Sequence, residues 1–181
     1  MYNTIKEFQK QLSKKEVVFL DSLINAYEKI KDINPYALEG KHPELYGKYL
    51  GCGYSRFVFS LNDKYVIKLA RNYEQSENIK EFKLYEEVSS KLKHRLAKIY
   101  FMSPLGEYLI MERCSKNLCG YNCKYEKKFL RIKQILITVF EVYGLGDLHE
   151  ENLFFDNFGK VKIVDYAWNS IERFLEEKKV V

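Results

Sequence analysis

Residues 51–69 read Gly51-Cys52-Gly53-Tyr54-Ser55-Arg56-Phe57-Val58-Phe59-Ser60-Leu61-Asn62-Asp63-Lys64-Tyr65-Val66-Ile67-Lys68-Leu69. Phe57–Leu61 and Tyr65–Leu69 are both rich in aromatic and β-branched residues, and Asn62-Asp63 between them is a tight-turn signal, so the stretch predicts a β-hairpin. Tyr49-Leu50 leads into it. Glycines at a strand turn let backbone N–H groups come close to phosphate oxygens. Many hairpins contain a Gly-x-Gly, but here the paired strand adds Lys68 between Ile67 and Leu69. A lysine in a half-buried strand needs an anionic partner. A rival phosphate motif at Gly47-Lys48-Tyr49 fails, because it lacks both the correctly spaced upstream glycine and the following Ser/Thr.

Outward from this hairpin, residues 75–93 read as helix, and Ile99–Phe101 and Tyr108–Met111 as two further strands around the turn Pro104-Leu105-Gly106. On the N-terminal side, residues 4–32 read as helix. Phe8, Leu12, Phe19, Leu23, Ile24, Tyr27 and Ile30 recur at helical spacing, and Ser13 with Glu16 forms a capping box that suggests a break there. Asn34-Pro35 closes the region, and Gly40, Pro43 and Gly47 mark an irregular linker. On the C-terminal side a long helix is expected from Lys124 to about Tyr143, ended by Gly144 and Gly146. Two short strands, Leu153–Phe155 and Val161–Val164, flank the turn Asp156-Asn157-Phe158-Gly159, and a last helix is expected over Ser170–Lys178.

A second chemical constellation lies far from the first: Gly146-Asp147-Leu148-His149-Glu150-Glu151-Asn152, then Val164-Asp165-Tyr166. An Asp and an Asn five positions apart, followed by a hairpin that delivers another Asp, suit phosphate chemistry. One carboxylate can take a hydroxyl proton, while an amide oxygen and a second carboxylate can hold magnesium against phosphate. The bland alternative is that Asp147 and Asn152 cap turns.

Together the two constellations resemble the protein-kinase-like superfamily across about residues 47–169. The resemblance implies an α+β, two-lobed protein-kinase-like fold with a strongly truncated C-terminal lobe. Residues 1–46 would be a helical extension and linker, 47–113 the N-lobe and 114–181 a minimal C-lobe. Gly51 and Gly53 are similar to the first two glycines of the nucleotide loop, with Ser55 inside it and Val58 the valine that follows. Lys68 is similar to the lysine on the α/β-phosphates, and Met111-Glu112-Arg113 to the hinge whose backbone pairs with adenine. Asp147 is similar to the catalytic base, and Asn152 and Asp165 to the magnesium ligands. The implied cofactors are ATP and magnesium. Asp147-Leu148-His149 is closer to aminoglycoside phosphotransferases and small phage and bacterial kinase-like proteins than to eukaryotic protein kinases.

The resemblance also implies a helix carboxylate partner for Lys68. Periodicity over 75–93 puts Glu81 in the apolar stripe with Tyr85, Val88 and Leu92; Glu86 and Glu87 fall off it, and Glu77 is the runner-up. The chain departs from the pattern in several places. Arg56 stands where the third loop glycine would be, open either to a phosphate contact or to simple packing. Leu145 replaces a common His, and Tyr166-Ala167 replaces Phe-Gly. Only residues 166–181 follow Asp165, which implies little surface for docking a peptide. Two functions stay open: an ATP- and magnesium-dependent phosphotransferase acting on itself, a partner protein or a small molecule, and a nucleotide-binding pseudokinase that serves as a regulatory module.

Composition sets outer bounds. The chain has 181 residues, 46% apolar and 15% aromatic, as expected of a packed domain. Its formal charge of +5 is mild. The basic run Lys91–Lys98 reads as a solvated helix end and not as a nucleic-acid footprint. No apolar run can span a bilayer, and no signal-peptide h-region follows Met1, so a cytoplasmic location is expected. Cys114, Cys119 and Cys123 lack a zinc knuckle and an adjacent His; with Cys52 they read as thiols in a reducing compartment. The N-terminal helical segment either packs on its own domain or offers a surface to a protein partner.

Overall fold

The computed structural model describes residues 1–46, 48–71, 74–114, 116–117, 130–132, 134–136 and 152–166. It is a mixed α+β protein whose chain divides into two compact units. The first comprises Met1–Ile79 with Ile99–Arg113, the second Lys80–Lys98 with Cys114–Val181.

The first unit is built on a five-stranded antiparallel sheet. Its strands are β1 (Tyr49–Cys52), β2 (Arg56–Ser60), β3 (Tyr65–Ala70), β4 (Ile99–Met102) and β5 (Tyr108–Glu112), in the order β1-β2-β3-β5-β4. The β2–β3 turn forms as its sequence demands: Asn62 Oδ1 accepts from the amides of Lys64 (2.8 Å) and Tyr65 (3.0 Å). The register pairs Phe57 with Leu69, Val58 with Lys68 and Phe59 with Ile67, and continues Lys68 to Leu109 and Ile67 to Ile110. Directly paired residues share a face. Phe57, Phe59, Ile67, Leu69, Tyr108 and Ile110 therefore line one side, and Val58, Lys68 and Leu109 the other.

The N-terminal helices cover the first of these faces. Helix α1 (Ile5–Gln9) and helix α2 (Lys14–Ile30) each open with a capping box, at Thr4/Glu7 and Ser13/Glu16. Phe8, Leu20, Leu23, Tyr27 and Ile30 join the sheet residues in one apolar cluster. Leu20, absent from the expected stripe, is fully buried, whereas Phe19 and Ile24 are only partly so. The expected linker is more ordered than its glycines and prolines imply. It holds a 3₁₀ turn (Pro35–Ala37) and the one-turn helices α3 (Leu38–Lys41) and α4 (Pro43–Tyr46), with Leu38 and Leu45 in the same cluster.

The expected helix over 75–93 is two helices, α5 (Gln75–Glu87) and α6 (Ser90–Lys93), separated where Ser89 turns to extended backbone. The unit boundary falls within α5. In the second unit, the short strand β6 (Lys116–Asn117), which sequence reading missed, pairs with β7 (Leu153–Phe155), and β7 with β8 (Val161–Ile163). The segment after α6 runs beside β8: Ile163 N donates to Arg95 O and Ala97 N to Ile163 O, both at 2.8 Å. Residues 130–132 and 134–136 are helical, within the helix expected from Lys124 to Tyr143. The rest of that helix, the loop 144–151 with Asp147, and the helix expected over Ser170–Lys178 lie outside the described residues. Among the described residues no helix is long and apolar enough to cross a membrane.

Candidate functional site

Two groups of the expected site residues lie in the described structure, one in each unit. In the first unit the β1–β2 turn carries the glycine loop. Gly51 sits at φ +148°, a backbone region that L side chains rarely adopt, beside a register shift in β1, and lies opposite Val58. Gly53 N donates to Arg56 O at 3.0 Å and closes the turn. Tyr54 at the tip is 84% exposed.

Arg71, immediately after β3, holds this turn and was not singled out by the sequence. Its Nη1 donates to Gly53 O at 2.8 Å and to Tyr54 O at 3.4 Å, and its own amide donates to Ser55 O at 2.8 Å. The guanidinium lies over the Phe57 ring, 4.7 Å from its centroid. Its Nε is buried with no hydrogen-bond partner among the described residues.

Lys68 is only 5% exposed and stands on the sheet face shared with Val58 and Leu109. Arg56, in register with Ala70, is on that face too and equally buried. A buried cation must be matched by a countercharge. At the far end of β5, Glu112 is half-buried, and the next amide, Arg113 N, donates to Lys64 O at 2.9 Å. The Arg113 side chain is likewise committed to the β2–β3 turn, donating to Ser60 Oγ (2.8 Å) and Asn62 O (3.0 Å). Its role here is to fasten two strands.

In the second unit Glu81 is completely buried, with Leu84 and Tyr85 also buried on α5 and Val88 just beyond its end, while Glu86 and Glu87 are exposed. Glu77, in the first unit, is partly exposed. Glu81 Oε1 accepts from Tyr166 N at 3.4 Å, a contact between residues 85 positions apart. Tyr166 is itself anchored, its hydroxyl donating to Ala97 O at 2.8 Å. The β7–β8 hairpin closes at its base through Val164 N donating to Asn152 O at 3.0 Å. Asn152 thus lies across from Val164; Asp165 follows Val164 in the chain, and Glu81 accepts from the amide of the residue after that. At the other end Asp156 Oδ1 accepts from Phe158 N (2.9 Å) and Lys160 N (2.8 Å) and makes the turn.

Asn152 and Asp165 suit magnesium by donor type. Both offer hard oxygens, and magnesium commonly takes one or two protein ligands and completes its shell with water and phosphate. Among the described residues no group of three or more His, Cys, Asp or Glu could hold a metal ion. Cys119, Cys123 and His149 fall outside them.

No family model matches this chain, and no curated protein does. Among solved structures it is similar to WbdD, in a co-crystal with the kinase inhibitor LY294002, at 16% identity and a TM-score of 0.48. The match covers 64% of this chain and 31% of that one, so the chain spans about a third of that protein's length. A likeness of this size leaves function to be read from the residues themselves.

Proposed function

We propose that the chain is an ATP- and magnesium-dependent phosphotransferase with a two-lobed, protein-kinase-like fold and a small C-terminal lobe. The observation that carries it is the base of the β7–β8 hairpin. There the Val164 N–Asn152 O hydrogen bond sets Asn152 opposite Val164, Asp165 is the next residue along the chain, and the amide of Tyr166 after it donates to the buried carboxylate of Glu81. An amide oxygen and a carboxylate are hard donors of the kind that a phosphate-bound magnesium ion takes. Bound there, magnesium would neutralise charge on the phosphate oxygens.

The remaining roles belong to the chain's own groups. Lys68 binds phosphate and pairs with Glu81 in the nucleotide-bound protein, since each is a charge withdrawn from water. Gly51, Gly53, Ser55 and Val58 form the loop and strand over the nucleotide, and Arg56 lends its charge from the Lys68 face. The backbone at Glu112 meets the adenine. Asp147 takes the acceptor's proton as the acceptor oxygen bonds to the γ-phosphorus and the bond to ADP breaks. The acceptor is a hydroxyl on this chain, on a partner protein or on a small molecule.

The test measures ATP affinity with and without magnesium for the native chain and Asp165→Ala, then phosphate transfer for the native chain and Asp147→Asn. Magnesium should tighten ATP binding in the native chain and not in Asp165→Ala, and Asp147→Asn should bind ATP and transfer nothing. Equal affinities in all four binding measurements would overturn the proposal. ATP binding without transfer to any acceptor would reduce the chain to a nucleotide-binding module.

A further inference from the structure

We infer that Arg71 is a positioning residue that turns the glycine loop into an anion cradle. The inference rests on the nucleotide-binding function proposed above and adds a residue that function did not use.

In a trans peptide the carbonyl of one residue and the N–H of the next point in opposite directions. Arg71 Nη1 draws the carbonyls of Gly53 and Tyr54 toward itself, at 2.8 and 3.4 Å. The N–H groups of Tyr54 and Ser55 are therefore directed away from Arg71, side by side at the tip of the turn. Gly53 N, by contrast, is already engaged with Arg56 O. Two successive amides turned the same way are a favourable seat for a phosphate oxygen.

The side to which they turn follows from the sheet. The Arg71 guanidinium rests on Phe57, which belongs to the face covered by α1 and α2. Lys68 and Val58 occupy the opposite face. A clamp that pulls carbonyls toward the Phe57 side presents amides toward the Lys68 side. The loop amides and the Lys68 ammonium then address the same polyphosphate. A Lys at 71 could still offer its ammonium to a carbonyl but lacks the planar guanidinium that lies on the Phe57 ring and fixes the donor's direction, so arginine serves the clamp better.

The experiment compares native chain, Arg71→Ala and Arg71→Lys, each checked for native folding by thermal melting. Affinities are measured for Mg-ATP, ADP, AMP and adenosine, and the backbone amide resonances of Tyr54 and Ser55 are followed during titration with ATP and with tripolyphosphate. Arg71→Ala should weaken ATP about tenfold, as expected for losing a charge-assisted interaction. It should weaken AMP less and adenosine not at all. The Tyr54 and Ser55 resonances should shift with tripolyphosphate in the native chain and lose that response in Arg71→Ala, with Arg71→Lys in between. If Arg71→Ala does not fold, the Arg71→Lys data decide by the same criteria. Uniform weakening of all four ligands would make Arg71 merely structural and overturn the inference, as would unchanged ATP affinity in the variants. If the native chain binds neither ATP nor tripolyphosphate, the nucleotide function itself falls, and the cradle with it.

Discussion

Tyr108 packs its ring against Phe101, with centroids 5.9 Å apart, at the margin of the apolar cluster that α2 covers. Burial, with smaller contributions from the charges of Glu107 and Asp21, pushes its hydroxyl from the ordinary 10.0 up to about 12. The folded state thus holds a proton that the unfolded chain releases near pH 10. Stability from this group is complete below pH 10 and is lost as pH rises from 10 toward 12. The loss amounts to about 2–3 kcal/mol at the top of that window. Urea midpoints should therefore fall between pH 9 and pH 11. Tyr108→Phe should flatten part of the fall, the remainder coming from Tyr27 and Tyr65, which burial also raises. Nothing in the local sequence announced this residue, because its environment is made by helices about 80 positions upstream. Lys68 was more legible: a single cation within the apolar run Tyr65–Ala70 is visible in the residues alone.

The β4–β5 turn and the start of α5 interlock at Gly106. Its φ of +75° suits glycine, and a Cβ there would lie 2.7 Å from Gln75 O and 2.8 Å from Ile79 Cγ1. The carbonyl of Gly106 accepts from the fully buried Asn78 at 2.8 Å, so turn and helix are tied as well as packed. Gly106→Ala should cost about 2–4 kcal/mol, combining left-handed strain with overpacking. Chemical denaturation should show it as a lower midpoint with an unchanged slope. An unchanged midpoint would mean that α5 slides away cheaply. Pro104-Leu105-Gly106 was readable as a turn. The need for glycine at its third position was not, since the obstacle comes from another element.

Residues 1–46 behave as part of the sheet unit, not as an appended arm. Phe8 meets Tyr65 edge-on at 5.1 Å, and Leu20, Leu23 and Ile30 are fully buried in the cluster with Phe57, Phe59 and Ile67. Removing residues 1–46 should leave a chain that aggregates or fails to show native tertiary contacts, judged by near-ultraviolet circular dichroism and size-exclusion chromatography. Leu23→Ala should cost about 2–5 kcal/mol in the full chain. A soluble, cooperatively folding 47–181 fragment would show that the helices are dispensable. For a partner to use this segment it must bind the polar outer face, because the apolar one is consumed.

Hairpins, turns and caps were determined by the sequence itself, because each is a contest among near neighbours. Asn62 folds back on Lys64 and Tyr65, Ser13 on Glu16, and Asp156 on Phe158 and Lys160. Thr4 and Glu7 make the same kind of box and were equally readable. Arg71 left no such trace: counting outward from a two-residue turn at Asn62-Asp63 would set Lys68 against Phe57, one residue off the observed pairing of Lys68 with Val58. The burial of Glu81 could be inferred from helical period, since an apolar stripe implies a covered face. What the sequence could not supply was the identity of the covering groups. Tertiary structure alone decided that Glu81 would touch Tyr166 N and that the Tyr166 hydroxyl would end on Ala97. It alone decided that Arg71 would lie on Phe57 and reach back to Gly53, and that two one-turn helices would fill the expected linker. These contacts join residues that local propensity treats as independent, and their energies exist only once burial has removed the competing water.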